Sequence, residues 1–293
     1  MVVSTIKKIA ARLMDILFVG CCLAVVLFLG QLFCFTSFKI PSDSMEPALK
    51  DGDQILVNKM IKGARLFDVF SALENKEVPV HRMPGMGNFN RNDILVFNFP
   101  YQSDRWDSIR MDVMQYYVKR CIALPGDTLE IKDGFYKVRG CNERLGNYQA
   151  QEYLAGLRHP VEQGIVIATF PFDEQLGWTI RNFGPLPIPQ ENQEIMIDKT
   201  NFRLYRQLIN WEQKKKLNEK DGKFLLGDSL VYRYRFTKNY YFVSGDNMPN
   251  SQDSRYWGML PEDYIVGKAV RIWSSKDRNT GKIRWERVMK EIV

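Results

Sequence analysis

The chain has 293 residues, 26% of them charged and 13% aromatic, and a formal net charge of +7. This is the composition of an ordinary folded protein, long enough for one large domain or two smaller ones. The basic residues are scattered and form no basic helix or RNA-binding signature, which excludes nucleic acid as the partner; a modest positive charge also suits a protein lying beside anionic lipid.

Ile16–Phe35 reads ILFVGCCLAVVLFLGQLFCF, and no residue from Ile16 to Phe38 is charged. About 20 such residues cross a bilayer. Lys7, Lys8 and Arg12 precede the run, with one acid at Asp15, a bias that keeps the N-terminus in the cytoplasm and sends the rest of the chain to the far side. A cleavable signal peptide has a shorter apolar core followed by a small-x-small site. Here Phe33, Phe35, Phe38 and Ile40 crowd the exit, so the segment reads as an uncleaved anchor. No later stretch is long and apolar enough to span again.

Just past the anchor, Pro41 and Pro47 bracket Ser42 and Ser44. Two prolines so close rule out a regular helix and disfavour a central strand. Ser44 therefore sits on a rigid irregular segment leading into a strand at Gln54–Asn58. Taken alone, Ser-Asp-Ser is an ordinary turn. Met60–Arg91 reads as a loop with a short helix. Strands follow at Asp93–Asn98 and Gln115–Leu124, with a hairpin at Thr128–Ile131 and Phe135–Val138 around Lys-Asp-Gly. Residues 141–222 change character: they are proline-rich near Gly184–Pro189, carry one helical pattern at Asn201–Lys215, and read as an inserted subdomain. Strands resume at Leu230–Phe236, Tyr240–Ser244 and Val266–Trp273. In the tail, Trp285, Val288, Met289 and Ile292 follow helical spacing. The tail is expected to form an amphipathic helix, lying at a lipid interface or docked on the protein's own core. The layout is residues 1–15 in the cytoplasm, a membrane helix at 16–37, a mainly β core at 38–140 and 223–293, and the insertion between.

Cys21, Cys22 and Cys34 lie in or beside the apolar run, leaving Cys121 and Cys141. No metal spacing or cofactor motif exists; a 121–141 disulfide stays open, although Cys121 reads as a buried strand residue. The two histidines, His81 and His159, lie in loop-like stretches far from any acid–nucleophile pair. A Ser-His-Asp triad fits poorly, and the other base for a serine is a lysine whose burial frees a neutral amine. Gln115–Leu124 supplies Lys119 and Arg120 on opposite faces of a largely apolar strand. Arginine stays charged, so Lys119 is the better base, unless it merely snorkels to water. A third stretch, Ser244–Gly258, is dense in turn formers and hydroxyls. Asp246, Asp253 and Arg255 can brace it, and Ser251 or Ser254 can orient an amine. The EF-hand spacing and terminal Glu are missing, which discounts calcium.

In this order, the three stretches resemble the sequence boxes of the type I signal peptidases, membrane-anchored serine proteases with a Ser-Lys dyad. The match covers Phe38–Lys59, Asn92–Pro100, Tyr116–Asp127 and Tyr240–Ser274. The carrying motifs are Pro-Ser-x-Ser44-Met45, Lys119-Arg120 ahead of Leu-Pro-Gly-Asp, and Gly-Asp-Asn-x-x-x-Ser-x-Asp-Ser-Arg. The resemblance implies a β-sheet catalytic core with a variable inserted cap. It implies Ser44 as nucleophile, Lys119 as general base, and Ser44 N–H with the Ser42 hydroxyl as oxyanion hole. Ser251 would hold the Lys119 amine, and Asp246, Asp253 and Arg255 would brace the site. Phe38, Ile40, Met45, Leu49, Tyr117 and Val118 would line shallow pockets for small residues. The implied partners are exported preproteins and the lipid bilayer, and the implied place is the outer face of a bacterial inner membrane. Three positions depart from the pattern: Asp43 for the usual Gly, Ala48 for Thr and Met248 for Arg. Asp43 places a negative charge beside a developing oxyanion unless its side chain turns away. Two rival readings stand beside this one. A self-cleaving cytoplasmic regulator with the same dyad is opposed by the anchor, and an inactive membrane-anchored binding domain is opposed by the intact Ser44, Lys119 and Ser251.

Overall fold

The computed structural model describes residues 2–74, 76, 78–102 and 106–292. Side chains are described from Ala11 onward, so those of Lys7 and Lys8, and residue Val293 in the tail, lie outside the description.

The first helix, α1, runs Val2–Phe33, and its Ala11–Phe33 part is long and apolar enough to cross a membrane, with none of it buried against the protein. It stops short of the expected end at residue 37. Cys34 turns the chain, and β1 (Phe35–Lys39) pairs antiparallel with β2 (Asp53–Asn58), so these residues exchange helical bonds for a ladder. A short helix, α2 (Val69–Leu73), follows, capped by the Asp68 carboxylate on the N–H groups of Phe70 and Ser71. Then come β3 (Ile94–Phe99), β4 (Asp112–Ala123), β5 (Thr128–Lys132), β6 (Phe135–Val138), helix α3 (Tyr148–Gly156), β7 (Phe183–Pro187) and helix α4 (Lys199–Gln213). The chain closes with β8 (Tyr240–Ser244), β9 (Leu260–Pro261), β10 (Ile265–Ser275) and β11 (Lys290–Glu291).

The main sheet is mainly antiparallel and runs β1-β2-β10-β3-β4-β8-β9, with β11 on β10. The expected strand Leu230–Phe236 is instead two short pieces, Ser229–Leu230 and Arg233–Arg235. Within residues 141–222, the proline-rich 183–187 stretch forms a strand that pairs with β5. It is an edge strand, where a missing N–H is tolerated. Leu154, Ile180, Phe183, Leu186 and Leu204 bury in one core with Leu95, Ile122 and Phe242 of the main sheet. A second, smaller core gathers Ile40, Met45, Leu49, Ile55, Val57 and Ile94. Cys121 and Cys141 are free thiols.

Among its described residues the tail forms no α-helix. Trp285–Arg287 is a single 3-10 turn, and Arg271↔Glu291 and Ile272↔Lys290 pair as strands. Trp285 and Met289 stay exposed while Arg287 buries, so the predicted apolar face does not assemble. A three-turn helix is marginal in water. Against it stands a buried ion pair: Arg287 bonds the fully buried Asp53 carboxylate, and its Nη2 reaches Ala48 O at 2.9 Å. Burial alone would raise Asp53, but Arg287, the Lys50 N–H and the Ser275 hydroxyl hold it below the ordinary carboxylate value. Truncation after Lys282 is therefore expected to destabilise the β core by about 3 kcal/mol, the lower end for breaking a buried pair, since Ser275 and Lys50 remain on Asp53. A denaturant melt with an unchanged midpoint would contradict this.

Candidate active site

Ser44 sits on an irregular run of turns between β1 and β2. Its position comes from its neighbours. Ile40, Met45 and Leu49 are inserted into the smaller core, each at most 2% exposed. Ile40 N donates to Asp53 O at 2.8 Å, and Gly52 N donates to Ile40 O at 2.9 Å. On the far side, Asn247 N donates to the Ser44 carbonyl at 3.1 Å. Burying three apolar anchors around one serine leaves its hydroxyl little freedom, which is how a loop residue becomes preorganised.

Lys119 lies on β4 opposite Leu95, and β8 pairs with β4 only from Arg120 onward. The outer edge of residues 112–119 is thus unpaired among the described residues. Lys119 is 4% exposed, and its amine donates to Ser44 Oγ at 2.7 Å. Burial pulls its pKa down to about 8, with only partial compensation from Asp253. Ser42 Oγ stands 3.5 Å from Ser44 Oγ. A neutral amine in contact with a serine hydroxyl, beside a second hydroxyl, can take the serine proton and leave a donor facing the developing oxyanion.

Two buried ion pairs brace this geometry. Arg255 grips Asp253 with two bonds of 2.8 Å, both side chains fully buried. Asp253 also accepts from Gly245 N at 2.9 Å and Ser244 Oγ at 3.1 Å. Burial would raise this carboxyl, but the charge of Arg255 wins and holds it low. Asp246 does not join that pair. Its partner is Arg120, through two bonds of 2.7 Å, so Arg120 belongs to the brace and sequence reasoning missed it. The signal was present, since a buried arginine on an apolar strand demands a carboxylate. Met248 puts its side chain in the core and its carbonyl accepts from Arg255 at 2.8 Å, so the brace closes without an arginine at this position. The Asp43 carboxylate accepts from the side-chain amide of Asn250 at 3.1 Å, and its charge still acts on the Lys119 amine.

The expected link between Ser251 and Lys119 is not formed: no hydrogen bond joins them, and the amine spends its bond on Ser44. Ser251 is instead pressed against Gly245. A β-carbon on Gly245 would lie 2.2 Å from Ser251 Oγ and 2.5 Å from the Ser44 carbonyl. Gly245→Ala must therefore shift the Ser44 backbone, and a displacement of about 1 Å typically costs ~10²-fold in rate. Near-wild-type turnover by this variant would show that the close approach is not needed.

A shallow cleft of about 280 Å³ opens beside Ser44, lined by Phe38, Ile40, Met45, Tyr117 and Val118. Leu49 does not line it; it is fully buried in the smaller core, where it anchors the loop. Tyr116, tilted on Phe38 at 4.8 Å, and Gln252 line the cleft and were not anticipated. A larger cleft of about 510 Å³ lies elsewhere and includes His81, and among the described residues no serine or cysteine lines it. His159 is exposed and lies beside Glu162.

The family described as signal peptidase, peptidase S26, matches residues 11–274. The chain is 29% identical over 263 residues to signal peptidase I of Pseudomonas aeruginosa, covering 86% of this chain and 69% of that protein. Identity is also 29% to signal peptidase I of Aquifex aeolicus, over 85% of this chain and 79% of the relative. The crystal structure of an Enterococcus faecalis signal peptidase I is 20% identical and covers 63% of this chain and 98% of its own, but its TM-score of 0.29 adds nothing to the fold. The family match spans both Ser44 and Lys119, the residues that the fold brings together from distant parts of the chain, and so the chain belongs to the signal peptidase family, peptidase S26.

Proposed function

We propose that this protein is a membrane-bound serine endopeptidase that removes N-terminal signal peptides from exported preproteins after small-x-small sites. The observation that carries this reading is the 2.7 Å contact between the buried Lys119 amine and Ser44 Oγ. In the proposed reaction, neutral Lys119 takes the Ser44 proton as Oγ attacks the scissile carbonyl. Ser44 N–H and the Ser42 hydroxyl receive the oxyanion. The Lys119 ammonium then protonates the leaving amine, and water, deprotonated by the same lysine, hydrolyses the acyl-enzyme.

The unpaired edge of β4 suits an extended substrate that adds as a strand, with alternate side chains dropping into the cleft. The cleft's volume suits small side chains, although hydrophobic pockets discriminate by only about 1–3 kcal/mol per methylene. Tethering through α1, with the N-terminus cytoplasmic and the β core outside, adds effective concentration. The intact contact weighs against an inactive binding domain. The test is to incubate the detergent-solubilised protein with an exported preprotein and sequence the product's new N-terminus. Cleavage after a small-x-small site is expected, with a bulky residue at the cleavage site blocking it. No cleavage, or cleavage indifferent to that residue, rejects the reading.

A further inference from the structure

Asp43 is a charge at the dyad that the catalytic steps leave unused. It stands between Ser42 and Ser44, where the resemblance puts a glycine, and it is exposed. Its carboxylate is held in place: Asn250 Nδ2 donates to both oxygens at 3.1 Å, and Asn247 Nδ2 donates to Oδ2 at 3.5 Å. Both donors are neutral amides, so they fix the charge without cancelling it. The backbone beneath is fixed as well, since Glu46 N donates to Asp43 O at 2.9 Å and Asn247 N donates to Ser44 O at 3.1 Å. The cations of the brace are already engaged, Arg255 on Asp253 and Arg120 on Asp246.

The cleft determines which part of a substrate meets this charge. Its lining runs from Phe38 on β1 and Tyr116 on β4 to Ser44 and Lys119, and among the described residues it includes neither Asp43 nor the two asparagines that hold it. A peptide whose small residues before the scissile bond fill the cleft leaves it at Ser44. The first atom after the bond is the departing amine nitrogen, which takes its proton from Lys119 and so lies within hydrogen-bond reach of that side chain. Asp43 acts on the same place, since its charge favours the ammonium form of Lys119. During the attack a negative charge grows on the carbonyl oxygen and a positive one on Lys119. A fixed carboxylate opposes the first and favours the second, so the two effects offset each other. A net charge on the departing segment has no such offset.

We propose that Asp43 is a specificity residue for the segment after the scissile bond, favouring substrates in which that segment begins with lysine or arginine over those in which it begins with aspartate or glutamate. This rests on the signal-peptide reading above, which places the residues before the bond in the cleft. The discrimination is electrostatic and long in reach, in contrast to the steric fit of small residues inside the cleft, so it acts without a shaped pocket. It also weakens as salt screens an exposed charge.

The experiment uses the full chain in a neutral detergent and one exported preprotein in three forms, with Ala-Ala, Lys-Lys or Glu-Glu directly after the scissile bond. At low salt the unaltered protein is expected to cleave the Lys-Lys form with a kcat/KM about tenfold above that of the Glu-Glu form, since attraction and repulsion between exposed charges are each worth about threefold. The ratio should shrink at about 0.5 M salt, where the screening length is a few ångströms. Asp43→Asn keeps an acceptor for the Asn250 amide and should bring the ratio to about one, and Asp43→Lys should invert it. A merely structural role would change all three substrates alike. Equal cleavage of the two charged forms by the unaltered protein, or a ratio that Asp43→Asn leaves unchanged, overturns the role of Asp43 alone. Failure to cleave even the Ala-Ala form overturns the signal-peptide reading and this proposal with it. If Asp43→Lys does not fold, the near-isosteric Asp43→Asn decides.

Discussion

Ser44→Ala and Lys119→Met are each expected to abolish preprotein cleavage, with losses of about 10⁴-fold or more and no further loss in the double variant. Residues that act as one nucleophile–base unit lose their whole contribution when either is removed. Lys119→Met conserves volume while removing a buried amine, so the fold should keep its cooperative melt. Cleavage by the unaltered protein should rise with pH along a single limb centred near the value of about 8 to which burial pulls the amine. The sign follows from the mechanism: only the neutral amine accepts the Ser44 proton, and the neutral fraction grows as pH passes the lysine's pKa. A limb near the ordinary lysine value of 10.5 would mean a solvated amine and a different base. Residual turnover within tenfold of wild type in either variant would also reject the dyad.

Asp253→Ala is expected to be the most destabilising single change in the site, by about 5 kcal/mol or more. It strands the Arg255 guanidinium, fully buried, without its carboxylate. Uncompensated buried charges of this kind cost about 3–5 kcal/mol. Two further bonds, from Gly245 N and Ser244 Oγ, are lost with it. Because both flank the Ser44 contact, activity should fall with the fold. The same carboxyl sets a pH dependence. Its folded value lies below the ordinary 3.8, so its contribution is fully present above about pH 4 and is lost as pH falls through the folded value. Denaturant melts at neutral and acid pH check both statements: a midpoint shift equivalent to less than about 1 kcal/mol for Asp253→Ala would show that Arg255 finds another partner.

Much of the site was legible in the sequence because its signals are local. Prolines at 41 and 47 make the Ser44 segment rigid and irregular, the apolar strand around Lys119 makes its amine a buried one, and turn formers fill 244–258. The 23-residue apolar part of α1 needs only length and composition to be read. What the sequence could not decide are pairings between residues far apart in the chain. Arg120 and Asp246 are 126 positions apart, Asp43 and Asn250 are 207 apart, and Arg287 and Asp53 are 234 apart. The last of these overrode a local expectation, the tail as an amphipathic helix; the other two settled what the sequence left open, which arginine Asp246 meets and what the Asp43 carboxylate bonds. Leu49 went the same way, from pocket lining to core, because the smaller core needed an apolar anchor under the Ser44 loop. A local pattern fixes what a segment can do alone. A buried charge needs its partner wherever in the chain that partner lies, and the energy of leaving it unpaired exceeds the preference of any short segment.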